Sequence, residues 1–119
     1  MKIAVVHSFY SSTNPSGENL VVDAQVAALR QAGHDVLLIA RHTDEEEHRP
    51  TYPLRAALSV ATGFGASPVR ALEQFSPDVV NLHNWFPNFG TRWLKSLKFP
   101  SVVTLHNFRT LCPIGTLYR

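Results

Sequence analysis

Imidazoles are the side chains here best suited to proton and hydrogen-bond chemistry near neutral pH. Three of the six histidines, His7, His83 and His106, close short apolar runs: Ile3-Ala-Val-Val6, Val79-Val-Asn-Leu82 and Val102-Val-Thr-Leu105. If those runs are parallel strands, all three imidazoles fall on one carboxyl-terminal edge, where open α/β sheets bind their ligands. One strand-end histidine usually does no more than satisfy neighbouring backbone groups. Convergence of three on one rim makes ligand binding the stronger reading. His34, His42 and His48 lie in a turn or a charged stretch and are assigned no chemistry.

The surrounding residues narrow that chemistry. No histidine pair has the His-Glu-x-x-His spacing of a helical metal site and no carboxylate stands beside the rim histidines, so no metal is expected. Ser8, Ser11 and Ser12 follow His7, but there is no Gly-x-Ser-x-Gly elbow, and Cys112 precedes Pro113 without an activating signature. Covalent catalysis is therefore not the expectation. In the loop from Ser8 to Glu18, Gly17 lets backbone approach a ligand and the following helix presents unpaired N–H groups, which favours a polar or anionic group. The dinucleotide fingerprint Gly-x-Gly-x-x-Gly and the Gly-Lys-Ser/Thr of a phosphate loop are both absent, and no cofactor is expected.

The elements that must position these groups follow in order along the chain. Lys2 to His7 reads as a buried parallel strand. Glu18 to Ala32 carries Val22, Val26 and Leu29 at helical spacing, with Ser16 as N-cap and Gly33 as the stop. Asp35 to Ala40 is the second strand of a right-handed β-α-β unit. Asp44-Glu-Glu-Glu47 reads as a solvated loop. Pro53 starts a helix towards Thr62, a Gly63 to Gly65 joint follows, and Ser67-Pro68 caps a second helix ending near Phe75. Leu54, Ala57, Leu58 and Ala61 line one face of the first of these; packing on the sheet is the expected use, and peripheral membrane contact the weaker alternative. A strand from Asp78 to His83, a short helix near Thr91 to Leu97 and a strand from Ser101 to His106 complete a doubly wound α/β sheet. Val79-Val-Asn-Leu-His-Asn-Trp85 and Val102-Val-Thr-Leu-His-Asn-Phe108 echo one another. Two copies make no solenoid. They indicate two strands that leave the sheet in the same way.

Composition excludes several classes. A chain of 119 residues, 45% hydrophobic and 17% charged, is a single soluble-type globular domain without disorder bias. The net charge of +2 comes from dispersed Lys and Arg, which gives no support to nucleic-acid binding. Ile3 to Val6 is too short for a secretory signal, and the uncharged stretch around Ala56 to Val69 is broken by Gly63, Gly65 and Pro68, so no transmembrane segment is expected. Cytoplasmic location is the expectation, and a lone cysteine, Cys112, is compatible with a reducing compartment.

Four stretches carry a resemblance: Pro15-Ser-Gly-Glu-Asn-Leu-Val-Val22, Gly33-His-Asp-Val36, Pro77-Asp-Val-Val-Asn-Leu-His-Asn-Trp-Phe-Pro87 and Val102-Val-Thr-Leu-His-Asn-Phe-Arg-Thr-Leu-Cys-Pro-Ile-Gly115. In this order they resemble the amino-terminal domain of retaining, family-4-type glycosyltransferases of the two-domain GT-B fold. The resemblance implies that residues 1–119 form a single, incomplete, Rossmann-like acceptor-side domain. It implies an open, mainly parallel sheet with flanking helices. It further implies a nucleotide-sugar donor and an acceptor meeting in a cleft between this domain and a carboxyl-terminal donor domain, with retention of anomeric configuration.

By the same resemblance, Gly17 and Glu18 fall on the loop that approaches donor phosphate and acceptor, with Ser16-Gly17 where many members have two glycines. His106, followed by Asn107, matches the histidine near the transferred sugar and is the candidate catalytic residue. His83 and Asn84 match the other cleft-facing motif, with Asn81 where a histidine is often found. His7 joins the substrate-binding set from its place on the rim alone. The family's donor domain has no counterpart before Arg119, so the chain is expected to be inactive alone, and a partner chain supplying that domain is one expectation. A stand-alone ligand-binding or interaction domain is the alternative, and a flavodoxin-like phosphate binder using Ser11-Ser-Thr-Asn14 is a third reading.

Overall fold

The computed structural model describes residues 1–9, 16–44 and 50–106. Strands β1 (Lys2–Phe9), β2 (Asp35–His42), β3 (Val79–Leu82) and β4 (Ser101–Val103) form one sheet in the order β2-β1-β3-β4. Every pairing is parallel, with Ile3 opposite both Val36 and Val79, and Val80 opposite Ser101. This is the open, Rossmann-like α/β arrangement that alternating strands and helices imply.

The unbroken apolar run of β1 follows from burial on both faces. Ala4 and Val6 pack with Val80, Leu82, Leu72, Phe89 and Trp93 on one face. Ile3, Val5 and Phe9 pack with Val22, Val26 and Val36 on the other. The second face is covered by α1 (Gly17–Gln31). Its ends are chemically specified: Ser16 Oγ accepts from the Asn19 N–H at 3.4 Å. At the other end Gly33, with φ 84°, allows Gly33 N to donate to Arg30 O and His34 N to Leu29 O, at 3.0 and 3.1 Å. That is a Schellman stop, and glycine fits its left-handed position.

Helices α2 (Tyr52–Thr62) and α3 (Val69–Phe75) are joined through Gly63 to Gly65 as the glycines imply. The cap of α3 falls on Pro68, one residue later than expected, although Ser67 Oγ still accepts from the Val69 N–H at 3.3 Å. The expected packing of α2 on the sheet is not what the structure shows. Leu54 and Leu58 are 69% and 57% exposed, and Ala57 and Ala61 are also exposed. The helix is held instead through its carboxyl-terminal joint. There Gly90 N donates to Ala66 O and Thr91 N to Gly63 O, at 3.0 and 2.9 Å. The approach requires glycine at position 90, where a Cβ would stand 2.5 Å from Gly63 O. No helix among the described residues is long and apolar enough to cross a membrane.

Three boundaries differ from expectation at the rim. β1 runs on to Phe9, so His7 lies inside the strand rather than at its end. β4 stops at Val103, placing His106 in the segment beyond it, and the expected helix near Thr91 to Leu97 is a 3-10 turn, Arg92–Ser96. β4 pairs with β3 alone among the described strands and its three residues are exposed; one further ladder bond follows it, Thr104 N donating to Leu82 O at 2.8 Å.

Candidate functional site

β1 is flanked by β2, reached through α1, and by β3, which follows much later in the chain, so the direction of winding changes between β1 and β3. A crevice at the carboxyl ends of such a strand pair is the usual ligand position in open α/β sheets. His7 and His83 flank it. Val6 pairs with Leu82, so the next residues, His7 and His83, project to the same face, the one covered by α1. The ladder continues past β3: His83 N donates to Val6 O at 3.0 Å, and Ser8 N donates to Asn84 O.

The structure brings the three imidazoles together. The ring of His83 lies 6.0 Å from that of His7 and 5.0 Å from that of His106, and His7 and His106 are 6.4 Å apart. His83 Nδ1 and His106 Nε2 are 2.7 Å apart and share a hydrogen bond. The sequence echo explains the meeting. Asn81 pairs with Val102, so Thr104 and His106 continue the β4 line on the side that carries Asn81 and His83. Thr104 Oγ1 accordingly donates to Asn81 Oδ1 at 3.0 Å. Equivalent positions of the two copies thus bond to one another.

The imidazoles are not equivalent. His7 is 0% exposed and both its nitrogens are engaged by protein. The Asn84 backbone N–H donates to Nδ1 at 3.4 Å, so Nδ1 is unprotonated and Nε2–H donates to Asn19 Oδ1 at 3.2 Å. His7 therefore braces α1 against the loop after β3. His83, 2% exposed, has Nδ1 on His106 and Nε2 at 2.7 Å from Gln25 Oε1. Burial, reinforced by His106 and then His7, lowers the His83 pKa to about 4. Burial also lowers that of His7, opposed by its bond to Asn19. Both rings are neutral at pH 7. His106 is half-buried, and its Nδ1 has no partner among the described residues.

Glu18 and Gly17 open α1 beside this cluster. Glu18 Oε2 accepts from Asn84 Nδ2 at 3.3 Å, and Asn84 Oδ1 accepts from the Phe86 N–H at 3.2 Å. Gly17 is exposed, and a Cβ there would meet nothing within 4 Å. Open space, rather than protein packing, faces the helix start. Asn107 and the segment 10–15, with Ser11 and Ser12, lie outside the described residues, as do His48 and Cys112.

Several site residues escaped the sequence reading. Asn19 and Gln25 support His7 and His83 from α1, and Asn81 adds a bond from Nδ2 to Gln25 Oε1 at 2.9 Å. A signal was present: Asn19 lies on the inward helical row with Val22, Val26 and Leu29, and Asn81 interrupts an apolar strand. Beside the rim, Asn88 Nδ2 donates to Ser8 Oγ and Thr43 Oγ1 at 2.8 and 2.9 Å, while His42 stacks on Phe9. His42 is thus part of the packed strand end, not of a charged loop.

The model of the family described as Glycosyltransferase Family 4 matches residues 15–116, a span that includes α1, β3, β4 and His106. No curated protein and no solved structure matches the chain.

Proposed function

Because the chain belongs to glycosyltransferase family 4, we propose that the rim around His106 is the acceptor-side wall of a cleft in which a sugar passes from a nucleotide-sugar donor to an acceptor with retention of configuration. The observation that carries this reading is the meeting of His7, His83 and His106 at the β1/β3 crevice, with one imidazole nitrogen of His106 left without a protein partner among the described residues. In this reading His106 Nδ1 hydrogen-bonds the transferred sugar and helps stabilise the charge that develops there as the glycosidic bond to phosphate breaks. Gly17 and Glu18 meet donor phosphate or acceptor hydroxyls at the start of α1, where the helix dipole favours an anion. Asn84 fixes the Glu18 carboxylate. Asn107 follows His106 in the same motif.

A departing nucleoside diphosphate needs positive charge. The neutral His7, His83 and carboxamides and the Glu18 carboxylate do not provide it. A donor-holding domain or a partner chain supplies that charge, and residues 1–119 alone turn over no nucleotide sugar. The test is a panel of nucleotide sugars offered to the chain alone and to the chain together with a donor-holding half. Turnover by the chain alone would refute the claim of inactivity. In the active form, His106→Ala should lower turnover by roughly a hundredfold, well beyond the modest stability loss of about 1–3 kcal/mol expected from leaving the buried His83 Nδ1 without its partner; equal turnover would leave His106 a structural residue.

A further inference from the structure

We propose that Gln25 and Asn81 are positioning residues that hold the proton of His83 on Nε2 and, through His83, fix His106 with its proton on Nε2 and its Nδ1 lone pair offered to substrate. Only the last step rests on the sugar-transfer reading; the proton arrangement does not.

One atom of this cluster can only accept. Gln25 Oε1 lies 2.7 Å from His83 Nε2 and 2.9 Å from Asn81 Nδ2, so one carbonyl oxygen receives two donors. Asn81 Nδ2 also stands 3.1 Å from His83 Nε2, but with that nitrogen protonated its hydrogen goes to Gln25. Asn81 is itself oriented by Thr104 Oγ1 donating to Oδ1. A neutral ring protonated on Nε2 has a bare Nδ1, and the group 2.7 Å from it, His106 Nε2, must then be the donor. The chain of polarity runs from a helix amide through a buried imidazole to the rim.

The arrangement matters because His106 has little else to hold it. It follows an exposed edge strand, and no other bond to its ring is made among the described residues. A free imidazole samples two tautomers and several ring orientations, whereas this one is held at one nitrogen with the other left for substrate. With Nε2–H held on His83, Nδ1 accepts from one sugar hydroxyl. Turning both carboxamides over would reverse every proton and present a neutral His106 as a donor instead, so the two arrangements differ in a measurable way.

The experiment is a long-range proton–nitrogen correlation spectrum of the folded chain, labelled in its histidine rings, at pH 7 and without substrate. His83 and His106 should each show the Nε2–H tautomer. Gln25→Leu should release both into tautomer mixtures, and Gln25→Glu, which keeps the accepting oxygen, should preserve Nε2–H at His83. His7, held by the Asn84 N–H, should be unchanged in every variant and so reports an intact fold. An Nδ1–H tautomer at His83 in the wild type, or Gln25→Leu spectra identical to wild type, would overturn the proposal. In the active transferase, Gln25→Leu should lower kcat by roughly tenfold to a hundredfold, the scale of a misplaced catalytic group, with KM little changed. Unchanged kcat beside the expected spectra overturns the substrate step alone, and the relay stands.

Discussion

Lowering the pH from 7 to 5 charges every ordinary histidine in the unfolded chain but not the buried ring of His83. Its pKa of about 4 in the folded protein lies below the ordinary 6.5, because burial and the neighbouring imidazoles oppose the charged form. The unfolded state therefore binds more protons across this interval, and stability must fall as the pH falls from about 6.5 towards 4. At pH 5 the unfolded ring is almost fully protonated and the folded ring almost fully neutral, which costs about 2 kcal/mol relative to pH 7 at 1.4 kcal/mol per tenfold. His7 shifts in the same direction and adds to the loss. The assay is urea unfolding followed by tryptophan fluorescence, at both pH values, for wild type and His83→Gln. The variant removes the His83 contribution together with its coupling to His106 and His7, and the more distant histidines remain as a common background. With a urea slope of about 1.5 kcal/mol per M, the wild-type midpoint should fall by about 1 M more than that of the variant. Equal falls would show that His83 is not held neutral by burial, and the neutral relay through it would lose its physical basis.

Other perturbations separate the site from the scaffold. Gly17→Ala places a methyl group in open space at the first turn of α1. It should leave the thermal midpoint unchanged or raise stability by about 0.5–1 kcal/mol through helix propensity, while weakening substrate binding in calorimetry of the active form; unaltered binding would remove Gly17 from the site. Gly90→Ala forces a Cβ towards Gly63 O and should cost about 1–3 kcal/mol in urea unfolding, the usual penalty of overpacking. An unaffected midpoint would mean that the joint between α2 and α3 is not held by that close approach.

The fold was legible because buried parallel strands and a capped amphipathic helix write local patterns, and those of β1, α1 and β2 are uninterrupted. The face of α2 was misread for a reason equally physical. Leucine and alanine at helical spacing mark an apolar stripe, but a glycine joint some residues away decides whether that stripe meets the sheet. At the rim, strand-end spacing put three histidines on one edge but gave them equal weight. Their inequality depends on partners drawn from distant segments: Asn19 and the Asn84 N–H for His7, and Gln25 for His83. Tautomer and charge follow from those partners, not from the histidine's own neighbours in sequence. The echo of Val-Val-x-Leu-His-Asn held more information than its histidines. Its variable position is Asn81 in one copy and Thr104 in the other, and the bond between them helps align His83 with His106. A polar residue at the one position where two otherwise alike strands differ thus pointed to the pair of side chains that joins them.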